Sequence, residues 1–299
     1  MNEIVFAPHT HRWPNRQFFK NMFWSAAGAC ALGGLYAWGL DDRLLRIERR
    51  AMPLPSLGVG LAGATIAHVS DLHASPIVLQ RYLRRCVEFI NSMDVDFVAI
   101  TGDFITGTRY HARRVARILG ELSPRIATIA CLGNHDYGIF HPNGLGGKRG
   151  LADYLAEQLS RADVFVMLNE SRVFSRRGAS IQFVGLEDYW SPRFDARLAF
   201  DVAHRHLPTV ALCHNPDPAG EIVELGAHWV LAGHTHGRDL RRSKLMHKLL
   251  PTKRKAHRAG QYPLGPGRHL YVNRGLGYAR RVNINARPEI TVFTLQKAN

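Results

Sequence analysis

From residue 64 onward, short apolar runs rich in β-branched residues alternate with longer stretches whose apolar positions recur at helical spacing. The runs at 65–69, 97–101, 127–132, 164–168, 181–185, 210–213, 229–232, 270–273 and 290–295 read as buried strands. The stretches at 78–92, 111–122, 151–161, 197–206 and 218–225 read as amphipathic helices. Strands that alternate with helices predict an α/β domain over 64–299, with a mainly parallel sheet covered by helices.

The front of the chain has a different pattern. Residues 1–20 form a basic tail. Residues 22–40, MFWSAAGACALGGLYAWGL, carry no charge. As a helix they would rise about 28 Å, close to the hydrocarbon thickness of a bilayer. Trp24, Tyr36 and Trp38 lie near the ends, where amphipathic rings favour the interface. The segment 21–40 is therefore expected to be a transmembrane or membrane-anchor helix. A cleaved signal peptide, or an interfacial helix weakened by Gly28, Gly33, Gly34 and Gly39, competes with that reading. No small-x-small cleavage site follows, which favours a retained anchor. Arg12, Arg16 and Lys20 precede it and Arg43, Arg46, Arg49 and Arg50 follow, so orientation stays open. Within 41–63, residues 43–50 read as a short basic surface helix and 52–63 as a Pro/Gly-rich linker.

Composition narrows the function classes. The chain has 299 residues with a net charge of +15, which favours anionic partners. Cys30, Cys86, Cys131 and Cys213 are its only cysteines and form no CxxC pair. A disulfide scaffold and a cysteine zinc site are both disfavoured.

The candidate chemistry falls just past the C-terminal ends of expected strands, where sites sit in open α/β sheets. Asp71 and His73 follow the first strand, Asp103 the second, and Asn134, His135 and Asp136 the third. His214 follows a later strand, and His234 and His236 another. Any one of these is ordinary. The ordered set DxH…GD…GNHD…H…GHxH is not, because every member is a ligand type and each is delivered by a strand end.

This set resembles the calcineurin-like metallophosphoesterases over about residues 64–296. The resemblance implies a four-layer αββα sandwich with a dinuclear metal centre. It would place the first metal on Asp71, His73, Asp103 and His236. The second would lie on Asp103, Asn134, His214 and His234, with Asp103 as the bridge. Mixed imidazole and carboxylate ligands suit Mn2+, with Fe or Zn as alternatives. A hydroxide bridging two such cations would be the nucleophile, and His135 would stabilise the transition state or protonate the leaving oxygen. Asp136 reads equally as support for the ligands or as a carboxylate capping nearby backbone. The glycines at 102, 133 and 233 are expected to let the chain turn after each strand. Thr106, three residues past Asp103, departs from both the Ser/Thr protein phosphatases and the purple acid phosphatases.

The segments LYVNRGLG (270–277) and RPEIT (287–291) resemble those of YkuE-type bacterial phosphodiesterases and the related membrane-anchored UDP-2,3-diacylglucosamine pyrophosphatases. This chain departs from them after GHTH, where Gly237 is followed by Arg238 and Asp239. Arg238 and Arg274 are candidate substrate contacts.

Residues 238–258 carry nine Lys/Arg and one acid, a net +8 out of +12 for the whole stretch from 64 onward. Leu240, Leu245, Met246, Leu249 and Leu250 intersperse them, which suits an anionic membrane surface. Nucleic acid is disfavoured because the segment lacks aromatic residues. The expected function is hydrolysis of a phosphodiester or pyrophosphate bond on a lipid- or nucleotide-linked substrate, with UDP-2,3-diacylglucosamine as first candidate. The expected location is a bacterial inner membrane, single-pass or peripheral. A nuclease, or a non-catalytic scaffold on the same fold, would be the alternatives.

Overall fold

The computed structural model describes residues 15–40, 45–144, 146–237, 257–277 and 287–298, with only the helical backbone given for 30–40. The chain forms two compact units, Met1–Leu44 and Leu45–Asn299. In the first, α1 (Arg16–Leu40) starts where the Asn15 side chain accepts the Phe18 N–H at 2.9 Å. The expected helix is present, but the transmembrane reading of 21–40 is not supported. Among the described residues no helix is long and apolar enough to cross a membrane. Arg16, Lys20, Asn21, Ser25 and the four glycines dilute its apolar content.

The second unit contains two six-stranded mixed sheets. The first has the order β1 (Arg46–Leu54), β12 (Glu289–Lys297), β2 (Thr65–Val69), β3 (Phe97–Thr101), β4 (Ala127–Cys131), β5 (Val164–Val166). The second has the order β10 (Gly260–Gly265), β11 (Arg268–Val272), β9 (Trp229–Ala232), β8 (Thr209–Leu212), β7 (Ala179–Gly185), β6 (Glu170–Arg176). Pairings are parallel except β12 with β2, β10 with β11, and β6 with β7.

Side-chain alternation divides these strands between three apolar interfaces. Ile66, Phe97 and Ile129 from the first sheet meet Ile181, Phe183, Val210, Trp229 and Tyr271 from the second. The alternate residues Ala67, Val98, Ile100 and Ala130 pack on α2 (Gln80–Ser92), α3 (Arg109–Leu119) and α4 (Leu151–Ser160). On the far side, Val184, Ala211, Val230 and Leu270 pack against α5 (Ala196–Asp201) and α6 (Ala219–Leu225). Two sheets face each other and each carries helices on its outer face. Every central strand is therefore buried on both sides, which is why these runs are continuously apolar.

Three strands were not expected, and all lie at sheet edges: β1, β6 and β10. Residues 46–54 are a strand paired in parallel with β12, not a basic helix leading to a linker. Edges carry charge and proline because one side of their backbone has no ladder to satisfy. β1 reads RIERRAMPL, and β10 holds Pro263. The inner residues of β1 still reach the core: Met52 and Leu54 are fully buried between the sheets.

Candidate metal centre

β2, β3 and β4 are neighbours in one sheet, and β8 and β9 are neighbours in the other. Their C-terminal ends bring Asp71, His73, Asp103, Asn134, His135, His214, His234 and His236 together, all buried. Asp71, His73 and His236 place ligand-capable atoms within 4.8 Å of one another. So do His73, Asp103 and His135, and so do Asp103, His214 and His234.

Asp103 is the shared member. Its Oδ2 lies 3.5 Å from His73 Nε2 and 3.3 Å from His214 Nε2. On one flank His236 Nε2 is 3.1 Å from His73 Nε2 and 3.3 Å from Asp71 Oδ1. On the other, His234 Nδ1 is 3.0 Å from Asn134 Oδ1 and 3.2 Å from His214 Nε2. Neighbouring residues fix these orientations. The Asn134 amide donates to the Ile139 carbonyl at 2.6 Å, which turns its oxygen inward. His73 Nδ1 is 3.3 Å from the Thr106 hydroxyl. His214 Nδ1 donates to the Thr101 carbonyl at 2.7 Å. A carbonyl only accepts, so His214 Nδ1 carries a proton and Nε2 is the nitrogen that faces the Asp103 carboxylate, which despite burial raises the His214 pKa well above its ordinary value. Inward-facing imidazole nitrogens, carboxylate oxygens and an amide oxygen are a donor set that fits divalent cations.

The electrostatics follow from burial. Desolvation lowers the His73 pKa to about 3, so its ring is neutral. Burial alone would raise Asp103, but His214 first and then His135 outweigh it and hold the carboxyl well below the usual range. Asp136 is pushed well up by burial and by Asp103. Its oxygens accept the Gly133 N–H at 2.9 Å and the Ile105 N–H at 3.1 Å, so Asp136 staples the loop that carries His135.

The backbone at the site is strained. Asp71, His73, Asp103, His234 and His236 have φ of 50°, 48°, 54°, 70° and 54°. Asp and His enter this left-handed region more readily than most residues, but each instance still costs on the order of 1 kcal/mol or more. Gly102, at φ 76°, turns as expected. Gly133 does not, with φ −112°. It is required for space, since a Cβ there would collide with Asp103. A Cβ on Gly233 would likewise collide with Ser70 and Asp71.

Sequence reasoning missed several participants. Trp190 packs edge-on against His234, with ring centroids 4.7 Å apart. Asp188, fully buried, has its pKa raised to about 7 by desolvation, and its Oδ1 accepts the Trp190 N–H at 2.9 Å. Both follow β7, where LEDYW carries no ligand pattern to single them out. Phe140 packs edge-on against His135 at 4.9 Å. Of the candidate substrate contacts, Arg274 pairs with buried Glu289, and its aliphatic stem lies over Gly237 just past His236. Arg238 and the rest of the basic segment through residue 256 lie outside the described residues, as do Arg280 and Arg281. The segment's described end is tied to the site, because the Thr235 hydroxyl donates to the Arg258 carbonyl.

The comparisons with known proteins agree with this geometry. The chain is 30% identical to "Uncharacterized metallophosphoesterase YkuE" of Bacillus subtilis, over 95% of this chain and 98% of that one. It is 27% identical to "UDP-2,3-diacylglucosamine pyrophosphatase LpxG" of Chlamydia trachomatis, over 89% and 93%. It is also 27% identical to "Phosphodiesterase YaeI" of Escherichia coli, over 77% and 81%. The sequence model of the family described as Calcineurin-like phosphoesterase matches residues 64–238. A fold whose two sheets aim Asp, His and Asn side chains at one point, together with these matches, places the chain in the calcineurin-like metallophosphoesterase family.

Proposed function

We propose that this protein hydrolyses a phosphodiester or pyrophosphate bond at a centre of two divalent cations. The observation that carries the reading is the position of Asp103 Oδ2, within 3.5 Å of His73 Nε2 and 3.3 Å of His214 Nε2. One carboxylate oxygen between two imidazole groups is the arrangement a bridging ligand needs. Asp71, His73, Asp103 and His236 would hold one cation; Asp103, Asn134, His214 and His234 the other. Manganese is the first choice, with iron or zinc as alternatives. When bound, such a pair polarises the phosphoryl oxygens and brings the pKa of water to about 7.

The chain's own residues do the rest. The His135 N–H donates to Asp103 Oδ1 at 2.9 Å, which sets the ring beside His73. From there its imidazole holds the proton that the leaving oxygen takes up. Phe140 and Trp190 pack against His135 and His234, which limits water around the reacting groups.

The substrate is lipid- or nucleotide-linked, with UDP-2,3-diacylglucosamine the first candidate, supported by the name of the chlamydial relative. Water adds across its pyrophosphate to release UMP and the lipid monophosphate. Attachment to the membrane is peripheral. Phe18, Phe19, Met22, Phe23 and Trp24 stand exposed along α1, and Arg258, the last residue of the basic segment, accepts a hydrogen bond from Thr235 beside the centre. Full-length protein loaded with manganese should release UMP from UDP-2,3-diacylglucosamine. Cleavage of bis-p-nitrophenyl phosphate without UMP release would leave a general phosphodiesterase, as the name of the Escherichia coli relative suggests. Cleavage of neither overturns the reading.

A further inference from the structure

The outer face of α3, with Tyr154 of α4, forms an open groove of about 440 Å3 lined by Arg109, Tyr110, Arg113, Arg114, Arg117 and Tyr154. The stretch RYHARRVAR sets four guanidinium groups along two turns of α3. The tyrosines hold them without neutralising them. Arg109 and Arg113 lie over the Tyr154 ring at 5.0 and 5.8 Å, and Arg114 lies over Tyr110 at 4.0 Å. The Arg113 Nε also donates to the Tyr154 hydroxyl.

Among the described residues, no ion pair with a carboxylate engages any of these four arginines. The acids on α4 are already taken: Asp153 pairs with Arg193 at 2.6 Å and Glu157 with Arg161 at 2.6 Å. Four like charges around one hollow repel one another, and an anion placed among them relieves that cost. Guanidinium forks match phosphate oxygens in pairs.

We propose that this groove is a phospholipid-headgroup site by which the catalytic body rests on an anionic bilayer. Its concave shape fits a headgroup rather than a long polymer. Tyr110 and the nearby Phe140, which packs beside Gly107 at the approach to α3, are 60% and 47% exposed. Exposed aromatics next to arginine suit the interface between headgroups and acyl chains. A nucleic-acid strand would need open ring faces for base stacking, and here both tyrosines already carry guanidinium groups. The groove also lies close to the chemistry. Thr106, which bonds His73, is three residues before Arg109, in the loop that leads into α3. Lipid held in the groove would bring the membrane surface to the mouth of the site. This inference goes beyond the hydrolase reading and does not depend on it.

The test is sedimentation of the full chain with phosphatidylcholine vesicles made with and without phosphatidylglycerol. The α1 contribution is common to every arm, so the readout is the gain that phosphatidylglycerol confers. The double variant Arg113→Gln/Arg117→Gln should lose about 25-fold of that gain, at roughly five-fold per arginine. Arg113→Lys/Arg117→Lys, which keeps the charge, should retain most of it. Melting curves report folding, and hydrolysis of bis-p-nitrophenyl phosphate is measured separately, so failure of the hydrolase reading leaves the vesicle result standing. If the double variant does not fold, the single variants Arg109→Gln and Arg117→Gln decide: each should lose about five-fold of the gain, a loss that salt reduces. A glutamine variant that folds and keeps the full gain overturns the proposal. So does a parent gain that salt leaves unchanged, or, in a parallel arm with a single-stranded oligonucleotide in place of vesicles, a glutamine variant that loses oligonucleotide binding alone.

Discussion

Each side chain at the centre is held by a neighbour rather than left to find its partner. His214 hangs from the Thr101 carbonyl, His73 from Thr106, Asn134 from Ile139, and His135 from Asp103 through its own N–H. This separation of supporting atoms from facing atoms makes the roles testable. His135→Ala removes a ring that lies beside His73 but leaves the donors on Asp71, Asp103, Asn134, His214, His234 and His236 in place. Turnover of a phosphodiester should fall about 100- to 10,000-fold while bound metal stays near the parent value. Equal turnover, or a parallel loss of metal, would remove His135 from the proton-transfer role. At this scale the residue types and their order could be read directly from the chain, because ligand chemistry restricts the choice to a few side chains. The backbone that presents them could not. Nothing in the letters of Asp71 or His236 announces a left-handed φ. Gly133 was expected to supply a turn, whereas it supplies room for Asp103. Asp188 and Trp190 escaped because a buried carboxyl and an indole outside any recurring pattern look like ordinary core.

At the level of elements, the buried strands were legible and the edge strands were not. β2, β3 and β9 match the expected ranges, because burial on both faces imposes an uninterrupted apolar run. β1 has a Glu and three Arg in nine residues and reads as a surface segment until its last residues are seen to alternate. Two outcomes check this level, the first for the place of β1. Leu54→Ala should destabilise the protein by about 2–5 kcal/mol in chemical denaturation, because a fully buried side chain between the sheets would leave a cavity. A change under about 0.5 kcal/mol is what an exposed linker would give. The second outcome concerns β2, where His68 is buried and hydrogen-bonded to the Thr101 hydroxyl at 2.9 Å. Desolvation lowers its pKa from 6.5 to about 3. The folded chain therefore stays neutral there while the unfolded chain takes up a proton below pH 6.5. This contribution to stability is complete above about pH 6.5 and shrinks as pH falls toward 3, by on the order of 1 kcal/mol per pH unit. Unfolding free energies at pH 7 and pH 5 should differ less in His68→Phe than in the parent; an identical difference would contradict the assignment.

Across the whole molecule, function comes from bringing the strand ends of two sheets to one place. Neither sheet alone carries a full ligand set: the first supplies Asp71, His73, Asp103 and Asn134, and the second supplies His214, His234 and His236. The apolar layer between the sheets, with Phe97, Phe183, Trp229 and Phe293 among its buried members, holds the two sets of strand ends in register. The central claim is that Asp103 joins the two halves into one centre for two cations. Metal analysis of manganese-reconstituted protein after gel filtration tests it most directly. The parent chain should retain about two equivalents, as a two-metal hydrolase requires, and Asp103→Ala less than one. A parent that retains one equivalent or none, or an Asp103→Ala variant that retains as much as the parent, would contradict it.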